Sequence, residues 1–391
     1  MAKPKEVGMK SVLVYTTLLN AGSSCLWPLT TMYMHDYLHR SLTESGLILF
    51  LMSLFMIIGN YTGGFLFDHW SAYKTALISI LISLASIVAL TFFHGWPIFA
   101  FLLIIHGFSD GISLTLINSY ASTIKSKSPR YVFNTLYVGL NIGVVVGTAM
   151  VGYLLKYGVT TVFAVTSAFY AILFIMAIRL FDIDFTDYDY NHQVKAADGA
   201  KSKTLQLLLA ICFLIFSIYL IYAIWESVMP IHMTQMGISF EEYSSVWTVN
   251  GLMIVFGQTL VSKIGRKFPI NRQIAFGIFI FGLSFLFLVF DHSYISFILT
   301  IAFLTIGEMI GFPDLPAWID SLASDSQKGL YQSFFSISMS LGRACGPLYA
   351  GAFVEYFSYN LLFIFSFALI VIAILIVLNR NRILKQNDKT R

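Results

Sequence analysis

The sequence predicts an all-α membrane protein: twelve transmembrane helices forming two pseudo-symmetric six-helix bundles around a central cavity. Three observations predict it. Of 391 residues, 57% are hydrophobic and only 11% charged, against about 25% charged in an ordinary globular domain, and the mean hydropathy is +0.77. Apolar runs long enough to cross a bilayer, about twenty residues each, recur twelve times, and basic residues alternate in step with them. Finally, the two halves of the chain carry the same glycine pattern.

The runs cover roughly residues 11–35, 44–67, 74–93, 97–123, 131–155, 159–180, 204–233, 241–263, 271–291, 293–319, 328–355 and 358–379. The first is preceded by Lys3, Lys5 and Lys10 without a small-residue cleavage site, which suits a retained helix better than a signal peptide. Of the 24 Lys and Arg residues, only Arg40 and Lys156 fall on the opposite side from the rest, and Arg343 alone lies inside a run. The positive-inside rule then puts both termini in the cytoplasm of a cell-membrane protein. The 36 Phe and 21 Tyr suit a lipid-facing surface and interfacial aromatic belts.

Residues 181–203 form a polar cytoplasmic linker between an N-terminal bundle, 1–180, and a C-terminal bundle with a short tail, 204–391. Asp182, Asp184, Asp187 and Asp189 in the linker read as a solvated face rather than a metal site. Cys25, Cys212 and Cys345 lie in separate runs with no metal-ligand spacing. In the fifth run Gly143-x-x-x-Gly147-Thr148-x-x-x-Gly152 matches Gly342-x-x-x-Gly346-Pro347-x-x-x-Gly351 in the eleventh, 199 positions later. Six plus six helices related by a parallel repeat describe a transporter architecture.

On these features the chain resembles the major facilitator superfamily over essentially its whole length. The family's loop 2–3 signature, Gly-x-Leu-x-Asp-x-x-Gly-Arg-Lys, is half present: Gly64, Leu66 and Asp68 fit, Ser71, Ala72 and Tyr73 replace the Gly-Arg-Lys, and Lys74 is the remaining base. The second copy carries Gly265-Arg266-Lys267, with Ser262 in the aspartate's place. The resemblance implies a cytoplasmic gating role for Asp68, Lys74, Gly265 and Arg266. The relay arginine of the drug-exporting branch is replaced by Leu103, four residues before Gly107, and the proline of that branch's Gly-x-x-x-Gly-Pro signature appears only at Pro347.

The chain is similar, more closely, to bacterial proton-coupled multidrug antiporters of the lactococcal type. Gly307-Glu308, Pro313 and Lys328-Gly329-x-Tyr331 fit that group's tenth helix, and Glu226, Pro230 and His232 its seventh; an acid of the fifth helix is replaced by Leu136, beside Tyr137. This likeness implies proton-driven efflux of hydrophobic or cationic compounds. A facilitator or symporter for a sugar, peptide or lipid precursor is the alternative, and a non-transporting sensor a remote one. The implied partners are a small-molecule substrate, protons and the bilayer, with the protein a monomer, no cofactor and the proton gradient as energy source. Nucleic acid is excluded because the bases follow topology. Enzymatic function is disfavoured because no run pairs a nucleophile with a base and no phosphate loop appears.

Charge inside a membrane is costly, roughly 2.5–3.5 kcal/mol at a helix centre, so the intramembrane acids Glu308, Glu226 and Asp110 are the candidate proton- and substrate-coupling residues. His106, beside Asp110, reads either as a relay or as a packed histidine. Arg343 at mid-depth requires a partner, with Glu308 and Asp110 the candidates. Asp314 and Asp320 suit gate contacts. Helical spacing puts Asn20, Ser24, Trp27 and Thr31 on one stripe, Asn134, Tyr137 and Asn141 on a second, Tyr219, Tyr222 and Glu226 on a third, and Trp247, Asn250 and Gln258 on a fourth. Together with Arg343 these read as a cavity lining for amphipathic cations, or as polar contacts between helices.

Overall fold

A computed structural model describes residues 6–124, 126–127, 129–183, 202–265, 267–322 and 328–389. Among these the secondary structure is helical throughout, with no strand. In chain order the helices are α1 (Met9–Met32), α2 (Leu42–His69), α3 (Ala72–Phe92), α4 (Ile98–Ser122), α5 (Pro129–Leu154), α6 (Val159–Leu180), α7 (Ser202–Ser227), α8 (Met229–Gln235), α9 (Phe240–Gly265), α10 (Ile270–Phe287), α11 (Tyr294–Gly311), α12 (Asp314–Leu322), α13 (Lys328–Tyr356) and α14 (Tyr359–Lys389). Ten stretches are long and apolar enough to cross a membrane. The predicted runs 11–35 and 328–355 are helical too, but Asn20 and a string of Ser and Thr in α1, and Arg343 in α13, leave them less apolar than those ten.

Two predicted runs are each split in two, and proline accounts for both splits. The run 204–233 breaks at Val228, where Pro230 opens the short α8. The run 293–319 breaks at Phe312 and Pro313, and α12 restarts at Asp314. Proline has no N–H to give and its ring clashes with the preceding turn, so a helix start is where it fits best, although Pro28 and Pro347 are carried inside α1 and α13.

The described chain divides into two compact units. One comprises Met1–Arg40, Leu47–His192 and Ser239–Gly251; the other comprises Ser41–Gly46, Gln193–Ile238 and Leu252–Arg391. The start of α2 thus belongs to the second unit and the start of α9 to the first.

Within each unit the glycine repeat does the same work. A side chain on Gly143 would meet the Thr17 carbonyl at 2.5 Å, and one on Gly147 would press on Ala21. In the second unit Gly342 faces the Phe216 carbonyl, also at 2.5 Å, and Gly346 faces Leu220 at 2.6 Å. Thr17 and Phe216, like Ala21 and Leu220, are 199 positions apart. The absent Cβ lets α5 lie against the backbone of α1, and α13 against that of α7, as small residues do in membrane helix pairs. Outward faces carry exposed aromatics such as Phe101, Phe256 and Phe290, the surface a lipid environment requires.

Candidate functional site: two carboxylate centres

The second unit brings four of the predicted residues together. Arg343 of α13 forms an ion pair with Glu226 of α7, Nη2 to Oε1 3.5 Å, and its guanidinium lies 5.6 Å from the Tyr219 ring centre. One turn from Tyr219, the Tyr222 hydroxyl donates to Glu308 Oε2 at 3.4 Å. Glu308 is also within electrostatic reach of Arg343. The guanidinium is thus paired with one carboxylate and lies in the field of a second. Glu226, which sequence spacing leaves as either a coupling acid or an interfacial one, is the ion-pair partner that Arg343 requires.

Aromatic rings wall this centre. Tyr222 stacks on Phe281 of α10 at 5.9 Å, and Phe312 packs against Tyr219, Tyr222 and Phe281 at 5.8, 6.2 and 5.1 Å. The break after α11 is what turns Phe312 into the group. Close approach of α10 and α11 through Gly277, Gly307 and Gly311 holds Glu308 at this depth. The Arg343 side chain keeps 40% of its surface accessible and Glu226 keeps 19%. A guanidinium open to that degree needs water beside it, because hydrocarbon would impose the full desolvation cost.

The first unit holds a different centre. Asp110 of α4 is 2% exposed. It accepts hydrogen bonds from Ser23 of α1 at 2.7 Å and from the Tyr170 hydroxyl of α6 at 2.9 Å. Tyr170 also lies 3.4 Å from His106 Nε2. A chain of hydroxyls, Ser109 to Ser83 at 2.7 Å and Ser113 to Ser79 at 3.2 Å, ties α4 to α3 below it.

The remaining predicted residues are dispersed. Asn20 and Ser24 are buried against Gly143 and Gly147 in the α1–α5 contact, and Asn20 donates back to the Thr16 carbonyl. Thr31 is buried as well, and Trp27 and Asn141 are half-buried. Trp247 and Asn250 are buried in the first unit, Trp247 donating to the Tyr243 hydroxyl at 2.9 Å. Gln258 donates to the Met309 carbonyl next to Glu308, at 3.1 Å. Asp314 accepts from Gln273, which also reaches the Ile310 carbonyl. Lys74 is exposed, 6.0 Å from the Trp70 ring, and Gly265 is buried against Gln273. Arg266, most of the 181–203 linker and the side chains of Asp68, Asn134, Tyr137 and Asp320 lie outside the described residues.

Sequence reasoning missed Ser23, Tyr170, Phe281 and Phe312. The stripe drawn through Asn20, Ser24 and Trp27 passes one residue beside Ser23. A signal was present: Ser23 lies 199 positions before Tyr222, the repeat interval of the glycines.

A polytopic helical protein with an internal repeat and buried ionisable centres is a membrane transporter in class, and comparison with known proteins agrees. The family model for the Major Facilitator Superfamily matches residues 12–313 and 211–391. The MFS-type transporter YttB of Bacillus subtilis strain 168 is 34% identical over 391 residues, covering 97% of this chain and 96% of the relative. YqjV of the same organism is 22% identical over 362 residues, covering 89% and 86%. Among solved structures, a POT family transporter in complex with 5-aminolevulinic acid aligns with a TM-score of 0.80 at 13% identity, over 96% of this chain and 97% of that one. The nucleoside transporter NupG aligns at 0.77 and 14%, over 95% and 98%. The likeness to these structures is one of fold. The chain belongs to the Major Facilitator Superfamily.

Proposed function

We propose that the protein is a proton-coupled secondary exporter of hydrophobic or cationic compounds, working by alternating access in the cell membrane. In this reading twelve spans form bundles 1–180 and 204–391 around a cavity, both termini are cytoplasmic, and the protein acts as a monomer. It is not an enzyme and uses no cofactor; the proton gradient supplies the energy. One observation carries the proposal: among the described residues Glu226 is ion-paired to Arg343, and Glu308 lies within electrostatic reach of the same cation. With both acids ionised the group is one negative charge in excess, and either a proton or a substrate cation restores neutrality. The two therefore compete for the same deficit, which is the condition for exchange. The rings of Tyr219, Tyr222, Phe281 and Phe312 offer a cation both apolar contact and a π face, worth about 0.5–2 kcal/mol.

A second reading, uptake of a particular anionic or zwitterionic metabolite, is favoured by the accessibility of Arg343, because a guanidinium fork matches a carboxylate. The likeness in fold to peptide and nucleoside transporters is compatible with it. Efflux of a panel of lipophilic cations, peptides and nucleosides from energised vesicles separates the two. Export requires gradient-driven loss of the cations, falling at least tenfold in Glu308→Gln. Cation fluxes indifferent to the gradient, or unchanged in that variant, would overturn it.

A further inference from the structure

The two centres are copies of one another. Ser23 and Tyr222, the hydroxyls on α1 and α7, are 199 positions apart; Asp110 and Glu308, the acids they reach on α4 and α11, are 198 apart. The surrounding contacts repeat at the same intervals: Ser109 bonds Ser83 across α4 and α3, while Gly307 abuts Phe281 across α11 and α10. Each bundle thus presents a carboxyl at the same place, held by a hydroxyl from its first helix.

We propose that Asp110 is a second proton-binding carboxyl of this protein, the first bundle's counterpart of Glu308, loaded through His106 and Tyr170. The inference rests on the export reading and deepens it by adding a proton site in the first bundle.

The surroundings of Asp110 offer it hydroxyls and a histidine to exchange a proton with, and no base to pair with. Its titratable neighbours are Tyr15 from α1, Tyr170 from α6 and His106 from α4 itself. From α3 come only Ser79 and Ser83, and from α2 the methionine backbone packed on Gly107 and Gly111. No lysine or arginine reaches Asp110 among the described residues, so a negative charge there is held by the hydroxyls of Ser23 and Tyr170 alone, with no counter-ion. Ser23 fits both states of the acid. Its hydroxyl donates to the ionised carboxylate at 2.7 Å; when Asp110 is protonated, Ser23 accepts from it and donates instead to the Leu19 carbonyl at 3.2 Å.

The last steps of a proton relay, from His106 to Asp110, are also built in. Tyr170 donates to Asp110 and so accepts from His106 Nε2–H, which leaves His106 Nδ1, fully buried, as an acceptor without a donor. A proton arriving at Nδ1 forms the imidazolium. The Nε2–H proton then passes to the Tyr170 oxygen as the Tyr170 proton passes to Asp110 Oδ1. The histidine ends neutral with its hydrogen on Nδ1, Tyr170 ends neutral, and the aspartate ends as the acid. One proton has entered and no charge is left in the bundle.

The test is pH-difference infrared spectroscopy of the full chain in liposomes, with H⁺ and D⁺ as the only probes. The carboxylic C=O region of the wild type is expected to show two titrating bands, one lost in Asp110→Asn and the other in Glu308→Gln. Tyr170→Phe and Ser23→Ala should each shift the Asp110 band and leave the Glu308 band in place. His106→Phe should slow the Asp110 band after a pH jump by about tenfold. A D110N spectrum identical to wild type would overturn the assignment. Should D110N not fold, Y170F and S23A decide, and an unshifted band in both has the same force. If Asp110 titrates and Glu308 does not, the export reading fails while this site stands.

Discussion

Asp110 and Glu308 occupy equivalent places in a repeated scaffold, yet their surroundings balance charge by different means. Around Asp110 there are hydroxyls and one histidine, and the acid is sealed at 2% exposure with no base beside it among the described residues. Around Glu308 there is an arginine already paired to a second acid, partly accessible and walled by rings. The counterpart of Arg343, 199 positions earlier, is Val144. Repetition thus fixes where a carboxyl stands, and the neighbours fix what it can exchange: on the proposed reading the first bundle takes H⁺ alone, whereas the second trades H⁺ for a larger cation.

The sharpest way to break this comparison is to remove the counter-charge. Arg343→Met leaves Glu226 and Glu308 as like charges with no base between them. Losing one partner of a fully buried pair costs about 3–5 kcal/mol. Partial accessibility of this pair reduces the expected loss to about 2–3 kcal/mol, through solvent screening. Thermal unfolding in detergent should register it, and adding Glu226→Gln should recover more than half. A single variant as stable as wild type would mean that the two acids do not depend on Arg343.

Next in size is the scaffold itself. Gly143→Ala and Gly342→Ala each drive a methyl toward a carbonyl at 2.5 Å, and overpacking of this kind costs about 1–3 kcal/mol. The two variants should lower the unfolding temperature by similar amounts. A large loss at one position with none at the other would show that the repeat shares its sequence pattern without sharing its packing.

Much of this scaffold was legible in the sequence. Glycine spacing and the alternation of bases depend on period and position alone, and one strand of sequence records both. The intramembrane acids were legible as well, because charge in an apolar run stands out. Partners were harder. Arg343 calls for an acid, and Glu308 and Asp110 are the partners expected; that Glu226 is the one paired depends on how α7 and α13 rotate about their axes. Tyr170 sits in a helix with no acid or histidine to mark it, where an aromatic with a hydroxyl resembles any interfacial tyrosine. The interruptions at Pro230 and Pro313 were visible as prolines, but not the turning of Phe312 toward Tyr222 that follows from the second.

The smallest expected effect tests whether the repeat extends to the helix ends. Ser41 and Glu44 at the start of α2 form a capping box, each side chain bonding the other's backbone N–H at 3.1 Å. Ser239 and Glu242 do the same at the start of α9, at 3.1 and 2.8 Å, 198 positions later. Such caps satisfy donors that a helix leaves unpaired and contribute about 0.5–2 kcal/mol. The copies differ in one respect. In the second unit Glu355 of α13 also accepts from the Thr43 N–H at 3.1 Å, whereas the corresponding residue, just beyond α5, is Lys156, whose ammonium lies over the Tyr153 ring instead. A carboxylate near a helix N-terminus is favourable by itself, so α2 keeps a second anchor when its serine is lost. Ser239→Ala should therefore cost about 1 kcal/mol and Ser41→Ala about half of that, read locally as faster amide exchange at Glu242 than at Glu44. Adding Glu355→Gln to Ser41→Ala should remove the difference. Equal exchange in the two single variants would show that Glu355 does not hold the helix, and that the ends of the repeat are alike after all.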